Sequence, residues 1–390
     1  MTRQGSTRKR RTRRRFRRRP RVLALAAAVV LAGLVASCGS VRYYSQAVWG
    51  GADVLVKRKP IDRLLESGRA QVLSAATRER LQLSQEIRDF ASRELALPDN
   101  RSYRSYADLG RPYVVWNVVA APRLSLEPKT WCYPFAGCAA YRGYFSERAA
   151  LRHGDRLAAD GYDVRVGGVA AYSTLGWFAD PVLSTFLDYA EADLAALIFH
   201  ELAHQVVYVK DDGAFNESFA TAVEIEGVRR WLRSLGRDEE LATFESARRR
   251  RRDLNRYLLE VRAELESIYG SDDSDERKLA RKAELFRSLP SRYRRELVPA
   301  WREAGDGAGG ESNLGEWLSR LNNADLVAVA TYNDLVPAFR ALLEVSGDSF
   351  PAFYAEVERL GALEPEERRR ALDSLASGGP ARPAPGPGNR

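Results

Sequence analysis

The stretch from Phe199 to Gly227, FHELAHQVVYVKDDGAFNESFATAVEIEG, constrains this chain more than any other. It holds His200 and His204 four residues apart, with Glu201 between them, in a chain that has only three histidines. Residues four apart lie on one face of a helix, so both imidazoles can reach one metal ion. Glu201 lies one step further round, where its carboxylate can contact a water at the metal. This spacing predicts a zinc site, and the alternative is an exposed helix that happens to carry two histidines.

The flanking residues predict two buried helices joined by a turn. Asp211, Asp212 and Gly213 mark the break between them, because a glycine suits a helix C-terminus or a turn. Apolar side chains recur at helical spacing on both sides of the break: Leu194, Leu197, Ile198, Leu202, Phe219, Val223 and Val228. A helix that carries a metal site is expected to be buried on its other face, and this pattern meets that expectation.

Two glutamates of the second helix are candidates for the same site. Catalytic zinc usually has three protein ligands and one open position, so Glu217, near the start of this helix, is the natural third ligand. Glu224 lies seven residues further on and shares the helix face of Glu217. It can orient a ligand histidine from behind, bind the amino group of a substrate, or be an ordinary surface carboxylate. The sequence leaves these three roles open.

The segments HELAHQ and NESFATAVE resemble the gluzincins, in particular the aminopeptidase N-type enzymes. This resemblance implies a zincin-like catalytic core, zinc held by His200, His204 and Glu217, and Glu201 as the general base. The twelve residues between His204 and Glu217 form a shorter connection than in those enzymes, and their G-x-M-E-N signature is absent here. Gluzincins often stabilise the oxyanion of the reaction with a downstream tyrosine, so the resemblance suggests Tyr332 for that role. Ordinary helix packing explains Tyr332 equally well.

Longer stretches resemble a family of bacterial lipoproteins described as candidate zinc aminopeptidases. They are YYSQAVWGG, TWCYPFAGCAAYRGYF, YSTLGWFADPVLSTF and LNNADLVAVATYNDLVPAF, and with the histidine segment they touch most of residues 38 to 345. The resemblance implies a zinc metallopeptidase, an aminopeptidase in particular, that acts on peptide substrates. An endopeptidase of the same fold and a zinc-binding envelope lipoprotein without catalysis are the alternatives, and an intact Glu201 argues against the second. An aminopeptidase needs an acidic partner for the α-amine of its substrate, for which Glu224, Asp211 and Asp212 are the candidates.

The N-terminal residues predict export and lipid attachment. Residues 1 to 21 hold twelve Arg or Lys and no acid, and residues 22 to 37, VLALAAAVVLAGLVAS, are uncharged. A basic region, a short apolar region and small residues before a cleavage point are typical of a signal peptide. The segment VASC at 35–38 resembles a lipobox, so we expect cleavage before Cys38 and acylation of that cysteine, with an ordinary signal anchor as the alternative. By family habit, Gly39 suggests a lipid anchor in the outer membrane, with the protein on its periplasmic face.

Removal of this segment changes what the charge of the chain implies. The whole chain carries a net charge of +9, of which +12 lies before Cys38, so the remainder is near −3. The basic isoelectric point of the whole chain would suggest that it binds nucleic acid. Because the excess positive charge lies in the signal peptide, this inference fails for the remainder, and we expect no nucleic-acid partner. The one basic run that is left, residues 248–252, is followed by Asp253 and is expected to be a solvated helix face.

Two cysteines remain beyond the lipidation site, Cys132 and Cys138 in WCYPFAGC. An exported chain with one such pair most simply forms a disulfide bond, and Pro134 and Gly137 can turn the chain between them. A two-thiol metal site is the alternative, but no third soft ligand stands nearby. We therefore expect a disulfide between Cys132 and Cys138.

The remaining patterns predict an α+β fold that is predominantly helical and has a small sheet. Residues 113–119 and 162–166 are rich in β-branched and aromatic residues and predict strands. Residues 146–160 predict a helix in which His153 is a surface or packing residue. Residues 169–178 predict a strand or loop close to the site helix.

The C-terminal half is expected to be helical. Residues 239–269 and 275–289 predict a charge-rich helical hairpin, and residues 314–343 predict an amphipathic helix. Together these patterns predict four regions. They are a signal peptide over 1–37, a zincin-like catalytic core over 38–235, a helical C-terminal region over 236–377 that completes the site, and a Gly/Pro-rich disordered tail over 378–390.

Overall fold

The computed structural model of the protein describes residues 43–66, 73–133, 137–171, 174, 178–305, 311–329 and 335–377. The predicted signal peptide with Cys38, most of the segment 172–177, Tyr332 and the tail at 378–390 lie outside these residues. The chain divides into two compact units, Met1–Gly51 and Ala52–Arg390. In the first unit, residues 43–51 are helical. The candidate site lies in the second unit, and the predicted boundary at residue 235 stays a prediction.

The second unit is mostly helical, which confirms the predicted α+β, predominantly helical class. After a helical segment at 52–57, its described helices are α1 (Ile61–Leu65), α2 (Ala75–Glu94), α3 (Glu147–Ala159), α4 (Glu191–Ala203), α5 (Gly213–Ser234), α6 (Asp238–Tyr269), α7 (Asp275–Glu296), α8 (Val298–Glu303), α9 (Glu311–Leu318), α10 (Asn323–Val329), α11 (Val336–Val345), α12 (Phe350–Gly361) and α13 (Pro365–Ala376). Its described strands are β1 (Lys59–Pro60), β2 (Ser105–Ala107), β3 (Val115–Pro122), β4 (Trp131–Tyr133), β5 (Gly137–Ala139), β6 (Arg142–Tyr144), β7 (Tyr162–Val169) and β8 (Val182–Leu183).

The described strands form three small sheets. In the first, β2 pairs antiparallel with β1 and parallel with β8. In the second, β3 lies between β6 and β7 and pairs antiparallel with both, so the strands predicted at 113–119 and 162–166 are neighbours. The third is the hairpin of β4 and β5, in which Cys132 lies opposite Cys138 and is joined to it by a disulfide bond. No helix in the described ranges is both long enough and apolar enough to cross a lipid bilayer.

Helices α4 and α5 pack closely against each other in the main core. Phe199 of α4 is fully buried, and its ring centroid lies 6.1 Å from that of Phe90 in α2. Gly227 of α5 faces this ring, because an added Cβ would lie 2.7 Å from Phe199 Cδ2 and 2.8 Å from Leu95 Cδ1. Only glycine permits this approach without movement of the neighbours. The two helices that carry the predicted ligands are thereby held side by side.

A second core joins the C-terminal helices to the β3 sheet, and it corrects one prediction. Residues 314–343 do not form one helix, since α9 ends at Leu318 and α10 begins at Asn323. The Asn323 side chain is fully buried and donates hydrogen bonds to the carbonyl oxygens of Pro122, Arg123 and Ser125. An asparagine that binds main-chain carbonyls outside its own helix favours a helix boundary over a continuous helix. The predicted hairpin of α6 and α7 is confirmed.

Candidate metal centre

Helix α4 positions the two histidines. Its apolar face is buried in the main core, which leaves His200 and Glu201 half-buried on the other side. His204 follows the last residue of the helix but keeps a helical backbone, with φ of −59° and ψ of −19°. Its N–H donates to the carbonyl oxygen of His200 at 3.3 Å. The spacing of four residues therefore still places both imidazoles on one face at the helix end.

Helix α5 positions the two glutamates, and its first turn is tightly anchored. The side chain of Asp212 accepts a hydrogen bond from the N–H of Phe215 at 3.0 Å, which caps the helix. The buried amide of Asn216 accepts from the N–H of Val209 at 2.8 Å and donates to its carbonyl oxygen at 2.7 Å. The loop between α4 and α5 is thus fastened to the residue before Glu217. This anchoring fixes the third candidate ligand relative to the histidines.

Glu217 brings its carboxylate to both histidines. Its Oε2 atom lies 3.3 Å from His200 Nε2, and its Oε1 atom lies 3.7 Å from His204 Nε2. The two Nε2 atoms are 3.2 Å apart. Ligand atoms held about 2.0–2.2 Å from a tetrahedral zinc ion lie roughly 3.3–3.6 Å from one another, so these separations fit one such ion. Within the described part of the chain, His200, His204 and Glu217 form a group that could hold a metal.

The protonation states of this group suit metal binding. Burial, followed by the neighbouring His200, lowers the pKa of His204 from 6.5 to about 4, so its imidazole is neutral at pH 7. Burial opposes ionisation of Glu217, but the hydrogen bond with His200 and the two imidazoles hold the pKa of this carboxyl below its usual range. A neutral imidazole and an ionised carboxylate are the forms that bind zinc.

Glu224 lies on the far side of His200 from Glu217. His200 Nδ1 is 3.0 Å from Glu224 Oε2, so this nitrogen donates and Nε2 keeps the lone pair that faces His204 and Glu217. The other carboxylate oxygen, Oε1, forms an ion pair with Arg248 of α6. Of the three roles left open by the sequence, this contact favours the first, in which Glu224 orients the imidazole of His200.

The expectation that residues 248–252 form a solvated helix face is wrong for Arg248. Its side chain is only 15% exposed, and its guanidinium lies 5.4 Å from the ring centroid of Phe244. Burial, followed by the charge of Arg251, lowers the pKa of Arg248 to about 10, which leaves it charged at pH 7. A run of five residues covers more than one full turn of a helix, so some of its members must face inward.

Tyr103 lies close to Glu201, and the sequence contains no signal for this proximity. The tyrosine is 2% exposed, and burial, followed by the negative charge of Glu201, raises its pKa well above the ordinary value. Its loop is held by the fully buried Arg88, which donates to the carbonyl oxygens of Pro98, Asn100 and Ser102. The Asn100 side chain also donates to Gln205 Oε1 at 2.8 Å, just beyond His204. A protonated phenol is therefore fixed near the predicted general base.

A cavity of about 370 Å³ adjoins the group, and its lining includes Tyr189, Asp193, His200, Glu201, Glu224 and Arg251. Two of the acidic residues predicted to receive a substrate amine do not line it. Asp212 caps α5 and pairs with Arg368 at 3.0 Å, and Asp211 has a left-handed backbone with φ of 63°. Asp193 was not predicted, although its position seven residues before His200 places both on one face of α4.

The chain matches one known protein family. A family model described as “Putative aminopeptidase” matches residues 42–372. No curated protein and no solved structure matches the chain.

Proposed function

The chain belongs to the family described as “Putative aminopeptidase”, and on that premise we propose that it is a zinc-dependent aminopeptidase. The observation that carries this proposal is the placement of His200, His204 and Glu217 at separations that fit one tetrahedral ion. Glu201 stands beside the group on the cavity side. A catalytic zinc site needs three protein ligands, an open position and a base, and these residues provide the three ligands and the base. A zincin-like core is part of the same proposal.

When bound, zinc supplies Lewis-acid activation of a water and of the scissile carbonyl group. Glu201 accepts a proton from the attacking water and delivers it to the leaving amine, which balances the protons of peptide hydrolysis. Glu224 keeps the proton of His200 on Nδ1, and Arg248 holds Glu224 in place for this task. Tyr332 remains the proposed donor to the oxyanion, by the resemblance alone.

Removal of single residues from a peptide's N-terminus requires recognition of its free amine. Asp193 carries the carboxylate that is best placed for this role, because it lines the cavity and has no hydrogen bond or ion pair with any described residue. Glu224 also lines the cavity but is already engaged by His200 and Arg248. We therefore propose that the carboxylate of Asp193 binds the α-amine of the substrate.

The location of the protein is proposed from its sequence. Cleavage before Cys38 and acylation of that cysteine would hold the catalytic unit at a membrane, on the periplasmic face of an outer membrane. The substrates would then be peptides in the cell envelope, and no nucleic acid would be bound.

An experiment with a peptide library tests the proposed reaction. The purified protein without residues 1–37 is incubated with peptides of varied sequence, with and without a metal chelator. Stepwise loss of N-terminal residues that stops on chelation supports the aminopeptidase. Internal cuts would identify an endopeptidase, and an intact library with zinc-loaded protein would indicate a lipoprotein that binds zinc without catalysis.

A further inference from the structure

The arginine run of α6, residues 248–252, contributes to the candidate metal centre through Arg248. Arg248 reaches Glu224, and Arg251 lies three residues further along, where helix geometry makes the two side chains neighbours. Arg251 lines the cavity beside His200 and Glu201. Arg251 and Arg252 are both exposed, but Arg252, about 100° round the helix from Arg251, does not line the cavity. The reaction proposed above gives Arg251 no task.

The guanidinium of Arg251 has no partner among the described residues. It forms no hydrogen bond or ion pair with them, although Asp193, Glu201 and Glu224 line the same cavity. Arg248, by contrast, is neutralised by Glu224. A guanidinium offers two parallel N–H groups that match a carboxylate, and this pairing is stronger than a hydrogen bond between neutral groups. An unpaired guanidinium at a catalytic cavity is therefore available to an anionic group of a ligand.

The size and charges of the cavity indicate what that ligand is. At about 370 Å³ the cavity is near the lower end of the roughly 300–1,000 Å³ typical of sites for small molecules. Asp193 on α4 offers a carboxylate, and Arg251 on α6 offers a guanidinium, yet the two do not pair with each other. Separated opposite charges at one cavity match a short peptide that itself carries an ammonium group and a carboxylate.

We propose that Arg251 is a specificity-determining residue that binds a carboxylate of the substrate, so that the cavity selects short peptides with such a group. This inference rests on the proposed aminopeptidase function for the identity of the ligand as a peptide. The carboxylate is either the free C-terminus of the peptide or the side chain of an Asp or Glu next to the cleaved bond. Both present the same planar anion to the guanidinium.

Binding is measured by calorimetry in a Glu201→Gln background loaded with zinc, so that no probe is hydrolysed. Three probes are used: the dipeptide Ala-Ala, its C-terminal amide, and the C-terminal amide of Ala-Glu. In the last of these the side-chain carboxylate is the one that remains free. At least one carboxylate probe should bind about tenfold or more tightly than Ala-Ala amide, because a charge-assisted contact is lost in the amide. Arg251→Gln should abolish this preference, and Arg251→Lys should retain part of it. Arg252→Gln removes the same charge one residue away and should leave the preference intact.

The three probes also identify the source of the carboxylate. Tighter binding of Ala-Ala alone identifies the C-terminus, and tighter binding of the Ala-Glu amide identifies the side chain. Equal binding of all three probes, or equal effects of Arg251→Gln and Arg252→Gln, overturns the proposal. Turnover of the peptide library by the unmutated protein is a separate readout: if no peptide is cleaved, the proposed function fails, whereas the binding preference still decides the role of Arg251.

Discussion

His200 and Glu224 are joined by a hydrogen bond from imidazole Nδ1 to carboxylate Oε2, with a separation of 3.0 Å. The bond fixes the tautomer of the histidine, so that Nε2 presents its lone pair to the position shared with His204 and Glu217. Glu217 and Glu224 stand on one helix but approach His200 at different nitrogens. The two glutamates should therefore differ in what their removal does to metal binding.

Substitution of the two glutamates by alanine separates a ligand from an orienting residue. Glu217→Ala should lose bound zinc, because the site is left with two protein ligands. Glu224→Ala should keep zinc but bind it about 10- to 100-fold more weakly, the usual cost of removing a group that orients a ligand. Metal analysis and chelator competition measure both, with Glu226→Ala on the same helix as the control. Full zinc in Glu217→Ala together with loss in Glu224→Ala would show that the third ligand is misassigned.

The proposed zinc site predicts that Arg248 acts on the metal through Glu224, and a double-mutant cycle tests this dependence. Arg248→Gln should weaken zinc binding by itself, because the carboxylate that orients His200 is no longer held. In a Glu224→Gln background the same substitution should add little, since the two residues form one network. Arg252→Gln is the matched control for the loss of charge. Equal effects of Arg248→Gln in both backgrounds would exclude this mechanism.

His153 of α3, which is not one of the candidate metal ligands, should make the stability of the fold depend on pH. Its ring lies 5.7 Å from Tyr144 and 6.1 Å from Trp131, and burial, followed by Arg142, Arg156 and Lys129, lowers its pKa from 6.5 to about 4. Because the folded pKa is the lower one, the unfolded chain binds more protons between these values. The contribution to the free energy of unfolding is therefore complete above pH 6.5 and is lost as the pH falls towards 4.

Urea unfolding at pH 7.5 and pH 5 measures this dependence in the metal-free protein. His153→Gln should reduce the loss of stability between the two pH values, because glutamine does not titrate. An unchanged loss in His153→Gln would assign the pH dependence to other groups.

How far the sequence predicts the site depends on how local each interaction is. The candidate ligands His200, His204 and Glu217 follow from spacing along two adjacent helices, and strands β3 and β7 follow from composition, whereas β6 was not predicted. The role of Glu224 could not be chosen, because it depends on Arg248, which lies 24 residues away on another helix. Arg251 and Asp193 meet at one cavity only through the packing of α6 near α4.

The helix boundary at Asn323 shows the same limit over a longer distance. The apolar periodicity of residues 314–343 predicts a continuous helix, whereas the side chain of Asn323 binds the carbonyl of Pro122, 201 residues earlier in the chain. A contact so distant in sequence leaves no periodic signal. The hydrogen-bonding needs of the strand end override the local preference for helix.

Processing of the N-terminus is tested by mass spectrometry of protein from its native host. The first residue should be Cys38 with two or three acyl chains, and Cys132 should be disulfide-bonded to Cys138. The lipid attachment follows from the lipobox-like segment at 35–38. Retention of residues 1–37, or free thiols at both 132 and 138, would contradict this account.

The central claim is that Glu201 is the base of a zinc peptidase, and Glu201→Gln tests it most directly. Glutamine is nearly isosteric, so zinc content and melting temperature should remain close to those of the unmutated protein. The kcat on a peptide with a free N-terminus should fall by about 10²- to 10⁴-fold, because general-base catalysis is lost. A mutant that retains zinc and fold and has lost this activity is the predicted result. A Glu201→Gln protein that cleaves peptide as fast as the unmutated protein would contradict the account.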